Sequence, residues 1–218
     1  MLEHRAQHGF DGGFNGGFNG GFNGEKGVSL VELVFVVAIS LVLSAVAIIN
    51  IASSLKVASA DSAAQLVQQD MRMARQAAIS NRLVYMLTFS APNSIIMQQQ
   101  VATLVTVNGV QVAGYQYNAV STDSIPSTVS FQILSGAPID QDGFGSGTLA
   151  IDFNGSNTIY FQPDGAGRDA NQKLCNGVVY TGISGDMTSA RTVTVWGSTG
   201  QIKLYKLYSN ATTGYYWQ

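Results

Sequence analysis

The chain has 218 residues and a formal net charge of −2 at neutral pH, with 11% charged and 46% hydrophobic side chains. This length suits one ordinary domain with an additional segment, and the charged fraction is low for a purely soluble protein. The near-neutral charge provides no cluster of Lys and Arg for the phosphate backbone of a nucleic acid, so nucleic acid is not an expected partner.

Residues 1–27 form a polar leader of low complexity. The tetrapeptide Gly-Gly-Phe-Asn occurs three times in it, at 12–15, 16–19 and 20–23. Glycine-rich repeats of this kind bury too little apolar surface to offset the entropy lost on ordering. We therefore expect the leader to be disordered and to contribute nothing to the fold.

From Val28 to Ala91 the sequence contains neither glycine nor proline, which predicts one uninterrupted helix. Asn81 is a suitable end for this helix, because asparagine tolerates the left-handed conformation that terminates helices. After Glu32, no charged side chain occurs before Lys56. A helix of about 20 apolar residues spans the hydrocarbon core of a bilayer, so residues 28–55 are predicted to be a transmembrane half that crosses once.

The second half of the helix, residues 56–81, is amphipathic. Its apolar side chains recur three and four residues apart and therefore share one face; they are Val57, Ala60, Ala64, Val67, Met71, Ala74 and Ala78. This stripe suits either a coiled-coil seam with another chain or packing against the chain's own sheet. The small side chains and the strands that follow favour the second interpretation.

After Arg82 the pattern changes to short runs rich in β-branched and aromatic residues, which predict strands. The predicted runs are 83–89, 94–97, 101–107, 110–117, 129–134, 148–153, 158–161, 178–181, 192–196 and 201–208. Asn108-Gly109 predicts a tight hairpin between two of them. Residues 82–218 are therefore predicted to be a β-rich globular domain. The fold class is α+β, with a long N-terminal helix packed on an antiparallel sheet or a small two-sheet domain.

The start of the helix carries the most specific motif, Glu25-Lys26-Gly27-Val28-Ser29-Leu30-Val31-Glu32-Leu33. A polar leader ending in Lys-Gly, followed by an apolar helix with Glu at its fifth position, resembles the class III leader of type IV pilin-like proteins. Three later segments resemble the H-type minor pseudopilins of type II secretion and related minor fimbrial pilins; they are 64–79, Phe161-Gln162-Pro163-Asp164-Gly165 and Gly197-Ser198-Thr199-Gly200-Gln201-Ile202.

This resemblance implies that a prepilin peptidase removes residues 1–27 by cutting after Gly27 and methylates the new N-terminus, Val28. It also implies that the chain is a structural subunit, a minor type IV pilin or a pseudopilin. Before assembly, such a subunit resides in the bacterial inner membrane with its globular domain in the periplasm. An assembly platform then inserts it, beside other pilins or pseudopilins, into a periplasmic pseudopilus or a surface pilus.

Glu32 is the candidate assembly residue. A charged side chain at bilayer depth costs about 2.5–3.5 kcal/mol on insertion scales, so it is expected to have a partner. The Val28 amine of a neighbouring subunit could neutralise the Glu32 carboxylate, and Ser29 could add a hydrogen bond nearby. The alternative is that Glu32 reaches to water at the membrane edge.

The chain has few groups suited to catalysis. Its two histidines, His4 and His8, lie in the leader, so neither a histidine-based catalytic site nor an imidazole metal site is expected after processing. We expect no enzymatic activity and no cofactor. Two loops, 140–143 and 164–171, contain Asp and Asn oxygens that suit Ca²⁺, but both lack the spacing of a complete EF-hand loop. The lone Cys175 is expected to be a small buried side chain.

Two other functions remain open. One is a β-domain adhesin that forms no filament, either secreted after cleavage behind Ala60, so that it starts at Asp61, or anchored in the membrane with Met1 intact. A DNA-uptake minor pilin would need a basic tip, and the cations available for it are Arg168, Lys173, Arg191, Lys203 and Lys206. The C-terminal aromatic residues suit either an interface patch or core packing; they are Tyr205, Tyr208, Tyr215, Tyr216 and Trp217.

Overall fold

The computed structural model describes residues 28–212 and 214–218, apart from the side chains of residues 46–50 and of residue 110. The predicted leader, 1–27, with its Gly-Gly-Phe-Asn repeats, therefore lies outside the described residues. A boundary between two compact units falls between Val46 and Ala47. Each unit is described by itself.

Helix α1 runs from Leu30 to Asn81, a length of 52 residues. Ser29 precedes it, and its carbonyl oxygen accepts a hydrogen bond from the Leu33 amide at 3.1 Å. At the other end, the left-handed residue is Arg82, with φ of 55°. Asn81 is the last helical residue, and its side-chain amide donates to the Tyr85 hydroxyl at 2.6 Å. The prediction of one helix ending at Asn81 is confirmed, although the terminating conformation belongs to the next residue.

The membrane prediction for the first half of α1 is a separate matter. Across the described residues, no helix combines enough length with enough apolar character to cross a membrane. The assignment of residues 28–55 to a transmembrane half stays a prediction, and so do the leader boundary at 27 and the division of the helix between 55 and 56.

Eleven strands are present in the described residues, and all paired strands are antiparallel. They are β1 Tyr85–Ser90, β2 Ser94–Val107, β3 Val110–Ser124, β4 Ser130–Phe131, β5 Ile151–Phe153, β6 Thr158–Phe161, β7 Gly167–Arg168, β8 Gly177–Ile183, β9 Asp186–Trp196, β10 Gln201–Asn210 and β11 Gly214–Trp217. The first sheet has the order β3-β2-β1-β6-β7, and the second has the order β11-β10-β9-β8-β4, with β5 also paired to β8. The α+β class is confirmed, in its two-sheet form.

The β2–β3 hairpin bears out the turn prediction. Asn108 and Gly109 have φ angles of 51° and 79°, and positive φ at both central residues is what a type I′ turn requires. The predicted runs 94–97 and 101–107 form the single strand β2. Strands β7 and β11 were not predicted, because β7 has only two residues and β11 is made of aromatic residues that have no alternating pattern.

The core lies where the second half of α1 meets both sheets. The stripe residues from Ala60 to Ala78 are fully buried, whereas Val57 is only half-buried. Those from Ala64 to Ala78 form one cluster with Leu87 and Phe89 of β1, on the first sheet, and with Val193 of β9, on the second. The stripe therefore packs on the chain's own sheets, as predicted. Alanine suits this position because it lets a helix backbone come close to a sheet without leaving a gap.

Met71 and Met73 provide a matched test of this packing. Met71 is fully buried, whereas Met73 is 42% exposed on the same helix. We expect Met71→Ala to lower the free energy of unfolding by about 2–5 kcal/mol, because it leaves a cavity in the core. Met73→Ala should change it by less than about 0.5 kcal/mol. Chemical denaturation followed by circular dichroism measures both, and equal effects would contradict this packing.

Candidate functional site

The predicted assembly segment begins at the N-terminal end of the described residues. Gly27 lies outside them, so the structure does not describe the predicted cleavage position on that side. Val28 and Ser29 precede the helix, and the Val28 side chain is 69% exposed. Glu32 lies in the first turn of α1 and is exposed. Val28, Ser29 and Glu32 are thus within one helical turn of each other along the chain.

The helix start places Glu32 at the position of a capping residue, which the sequence analysis missed. Ser29 occupies the N-cap position, because the Leu33 amide bonds to its carbonyl oxygen and the helix begins at Leu30. Glu32 is then the third helical residue. Ser followed three positions later by Glu is the spacing of a capping box, and a carboxylate in the first turn interacts favourably with the helix dipole. The Ser-x-x-Glu spacing was visible in the sequence.

The first unit's described part of α1 has an almost uniformly apolar surface. The large apolar side chains from Leu30 to Leu43 are between 49% and 79% exposed. The Ser40 and Ser44 hydroxyls donate to the carbonyl oxygens of Val36 and Ser40, each at 2.7 Å. These serines therefore satisfy their polar groups inside the helix. A continuous apolar surface of this kind marks contact with lipid or with another protein.

In the second unit, three sequence segments that carry the family resemblance meet at one arginine. The Arg75 Nε donates to the Gly165 carbonyl oxygen at 3.2 Å, and its Nη2 donates to the Thr199 carbonyl oxygen at 3.0 Å. Gly165 follows β6, and Thr199 lies in the turn between β9 and β10. We call Arg75, Gly165, Thr199 and Gly200 the Arg75 clamp. It ties the end of the helix to a turn from each sheet.

Glycine is required in the clamp for space as well as for backbone conformation. Gly200 has φ of +63°, and a Cβ atom there would run into the Gly165 carbonyl oxygen and the Arg75 Nε. Gly165 also has positive φ, at +81°, and a Cβ there would lie 3.3 Å from the Arg75 Nε. Both glycines lie in segments that carry the family resemblance. Their contacts with Arg75 bring together positions that are far apart along the chain.

A second tie connects the helix to the second sheet. The Arg191 Nε donates to the Asp61 Oδ1 at 2.6 Å, and the Arg191 side chain is fully buried. Its Nη1 donates to the carbonyl oxygens of Thr188 and Ala190 at 2.7 and 2.8 Å, whereas its Nη2 has no partner. Lys206 lies 3.8 Å from the other Asp61 oxygen. A buried guanidinium needs such a carboxylate, because an uncompensated charge in the interior is costly.

The first loop considered for calcium, 140–143, uses its carboxylates within the chain. Asp140 accepts hydrogen bonds from the Phe144 and Gly145 amides at 2.9 and 2.8 Å. Asp142 accepts from the Thr194 hydroxyl at 2.6 Å and lies 3.4 Å from the Lys203 Nζ. The Asp140 oxygens thus bind amides of the adjoining loop, and the Asp142 oxygens hold the loop against β9 and β10.

The second loop, 164–171, is built in the same way. Asp169 accepts from the Asn154 side-chain amide at 3.1 Å and from the Asn171 and Lys173 backbone amides at 2.8 and 3.0 Å. The bond from Asn154 is the main cause that lowers the pKa of Asp169, and the two backbone bonds add to it. Asp164 accepts from the Ala166 amide at 2.9 Å. Among the described residues, no group of three or more His, Cys, Asp or Glu side chains is placed to hold a metal ion.

Cys175 and the C-terminal aromatic residues now have defined surroundings. Cys175 is fully buried, and burial, with smaller contributions from Asp169 and Asp152, raises the pKa of its thiol to about 12. Trp217 is buried, and its indole nitrogen donates to the Pro138 carbonyl oxygen at 3.1 Å. Tyr208, Tyr215 and Tyr216 remain about 40% exposed. The aromatic group is thus divided between core packing and surface.

Asp70 is a buried acid that the sequence analysis did not single out. It lies on α1, is only 3% exposed, and its Oδ2 has no hydrogen-bond partner. Burial, and secondarily the charge of Asp123 on β3, raises its pKa from 3.8 to about 6. None of the ion pairs in the described residues includes the Asp70 carboxylate.

Comparison with known proteins finds a distant structural likeness. No protein-family model matches the chain, and a search of curated proteins gives no match either. Among solved structures, the chain is similar to the type IV minor pilin FimU of Pseudomonas aeruginosa in two crystal forms, with TM-scores of 0.39 and 0.40 and 12% identity. The alignments cover 66% of this chain and 90% and 86% of the two FimU chains. The likeness is to a type IV pilin, and the narrower resemblance to H-type pseudopilins stays a prediction.

Gly200 and Gly185 test the clamp as a matched pair. Both have positive φ, at +63° and +77°, but only Gly200 has atoms within reach of an added Cβ. Alanine at either position carries a left-handed strain of about 1–2 kcal/mol. We expect Gly200→Ala to destabilise the protein more than Gly185→Ala does, since it also displaces Arg75 from its carbonyl partners. Thermal unfolding of the two variants measures the difference, and equal losses would argue against the clamp.

Asp70→Asn tests the buried acid through pH. The folded pKa lies above the ordinary value, so the folded state holds this proton more tightly than the unfolded chain does. Its contribution to stability is therefore greatest below about pH 4 and is lost as the pH rises through about 6. The raised pKa corresponds to at most about 3 kcal/mol at neutral pH, of which Asn should recover a part. Urea unfolding at pH 7.5 and pH 4 measures it; a stabilisation that is equal at both pH values would refute the assignment.

Proposed function

We propose that this chain is a pilin-like structural subunit, a minor type IV pilin or a type II secretion pseudopilin, that assembles into a filament through its N-terminal helix. One observation carries the proposal. Helix α1 starts three residues after Gly27, presents an exposed apolar surface with Glu32 in its first turn, and ends as the core element of the β domain. The role is structural rather than enzymatic.

Processing at Gly27 is the first step of this function. The bond between Gly27 and Val28 lies just before the helix, because Leu30 is the first helical residue. A residue without a side chain leaves the backbone accessible to a peptidase, and Val28 is exposed. In our proposal the prepilin peptidase cuts there and methylates the Val28 amine, while the subunit sits in the bacterial inner membrane with its β domain in the periplasm.

Assembly depends on the charge of Glu32. Within its own subunit the carboxylate has the weak partial charge of the helix N-terminus as a partner. The methylated Val28 amine of an adjacent subunit carries a full positive charge and is a stronger partner in a surrounding of low dielectric constant. Ser29, at the N-cap, holds the first turn in shape. In our proposal the assembly platform brings this pair together as it adds the subunit to other pilins or pseudopilins.

A filament subunit must also move with its helix. The Arg75 clamp and the Asp61–Arg191 pair connect the second half of α1 to both sheets. The buried alanine stripe adds a continuous apolar contact between them. The second half of α1 is therefore joined to the β domain by both polar and apolar contacts, which suits a subunit that is handled through its helix.

The two alternative functions have less support. Cleavage after Ala60, which the secreted adhesin requires, would cut α1 inside the core and place a new ammonium group at Asp61, beside Arg191 and Lys206. A DNA-uptake pilin would need free cations. Four of its five candidate cations are paired with carboxylates, in the pairs Arg168–Asp164, Arg191–Asp61, Lys203–Asp142 and Lys206–Asp61. This pairing reduces the positive charge available to phosphates.

Three substitutions at the N-terminal segment test the proposal. Glu32→Leu should leave cleavage after Gly27 intact but reduce incorporation into filaments. Glu32→Gln separates the two roles of the side chain, because Gln also fits a capping box but carries no charge. If the pair with the Val28 amine drives assembly, Gln should fail as Leu does. Ser40→Leu, which removes a polar group elsewhere on the exposed helix, should assemble normally.

The measurement is mass spectrometry of the mature N-terminus, combined with quantification of the subunit in sheared filaments from cells that contain a prepilin peptidase. We expect N-methyl-Val28 in the wild type and in all three variants. A mature protein that begins at Asp61 would support the adhesin instead. A protein that keeps residues 1–27 while functioning, or normal incorporation of Glu32→Gln, would overturn the proposed mechanism.

A further inference from the structure

The β2–β3 hairpin extends beyond the sheet that anchors it. Strand β1 pairs with β2 only as far as Gln99, and the last contact is a bond from the Gln100 amide to the Val84 carbonyl oxygen at 2.8 Å. From Val101 onward, β2 pairs only with β3, in a register that runs from Val101 opposite Gln116 to Val107 opposite Val110. We call residues 101–116 the hairpin arm. It is a two-stranded ribbon with no third strand among the described residues.

Both faces of the hairpin arm expose apolar side chains. On one face, Leu104 and Tyr115 are 65% and 67% exposed and flank a hollow of about 360 Å³ that has Ala102 and Ala113 among its lining residues. On the other face, Val105, Val107 and Val112 are between 39% and 51% exposed. An antiparallel sheet ordinarily covers one face and leaves a polar face in water. A two-stranded hairpin with two uncovered apolar faces is at best marginally stable alone.

The outer edge of β3 is unprotected within the hairpin arm. β3 is the last strand of its sheet, so its outward amides and carbonyls have no strand partner in the described chain. Natural edge strands usually block further pairing with charges, proline or a bulge. No proline occurs in β3, and its one charged residue, Asp123, lies beyond the arm. The one irregularity in the register lies beyond the arm, opposite Met97 and Gln98.

These observations point to a strand as the partner, because only an extended backbone matches a row of alternating amide donors and carbonyl acceptors. A second copy of this chain presents such a strand. Antiparallel pairing of two β3 edges about a two-fold axis is self-complementary, and the absence of charge removes the repulsion that would otherwise oppose identical edges. Tyr115 of one copy is long enough to reach across toward the hollow of the other.

We propose that the hairpin arm is a homotypic docking site, at which the β3 edges of two copies of this chain pair antiparallel to form one continuous sheet. This inference goes beyond the proposed function and does not depend on it. A contact of this kind fixes the register of two β domains, whereas apolar helix surfaces alone do not.

Single cysteines along the edge provide the direct test. They are introduced one at a time at positions 111 to 118 of the full chain, purified in detergent micelles. Cys175 does not compete, because it is fully buried and its thiol pKa is raised to about 12. Two Cβ atoms must lie about 3.5–4.5 Å apart to form a disulfide. The yield of cross-linked dimer should therefore have one maximum, at the position nearest the two-fold axis, and fall on both sides. Ser127→Cys, in an exposed turn, is the control and should give little dimer.

A charge variant separates the arm from the helix as the source of any dimer. Gln116→Lys combined with Asn118→Lys adds like charges to both paired edges and should raise the dissociation constant of the dimer about tenfold or more. Ser127→Lys adds charge away from the edge and should leave the constant unchanged. Light scattering over a concentration series measures both. A monomeric wild type, dimers that resist the Lys pair, a flat cross-linking profile, or cross-links in cells only to a different protein would each overturn the proposal.

Discussion

Close contact between the alanine stripe of α1 and two sheets is the constraint on which the β domain depends. Ala64, Ala74 and Ala78 are fully buried, and the cluster that contains them draws side chains from both sheets. Larger residues would hold the helix further away, and the carbonyl oxygens of Gly165 and Thr199 would then lie beyond the reach of Arg75. The packing therefore comes first, and the polar ties depend on the distance that it sets.

Three charged residues in the second half of the helix, Asp61, Asp70 and Arg75, differ in whether they have a partner on the sheets. Arg75 and Asp61 find partners on the sheets, whereas the Asp70 Oδ2 is buried with no partner. The first two orient the helix as well as stabilise it, because the planar guanidinium groups of Arg75 and Arg191 donate their hydrogen bonds in fixed directions. Asp70 works against stability at neutral pH. The same close packing that makes the two ties possible buries this carboxylate and leaves its Oδ2 without a hydrogen-bond partner.

Local sequence patterns predicted much of the fold, and contacts between residues distant in the sequence determine the rest. The lack of glycine and proline from 28 to 91 gave the helix, its periodicity gave the buried stripe, and Asn108-Gly109 gave the hairpin. The joining of Gly165 and Thr199 at Arg75 depends on how two sheets stack, which no local pattern encodes. The two Asp loops show that composition alone can mislead. Their oxygens suit calcium, but Asp140 and Asp169 accept hydrogen bonds from backbone amides instead. The Ser29–Glu32 spacing was a local signal that the family resemblance obscured.

The two exposed apolar surfaces differ in the contacts that they can make. The helix surface from Leu30 to Leu43 carries no charge other than Glu32, so apolar contact along it permits sliding. The hairpin arm has no charge at all, but its backbone supplies a repeating row of donors and acceptors that pair in discrete registers. Apolar helix packing therefore has no fixed register, whereas strand pairing sets the register of the two strands that it joins.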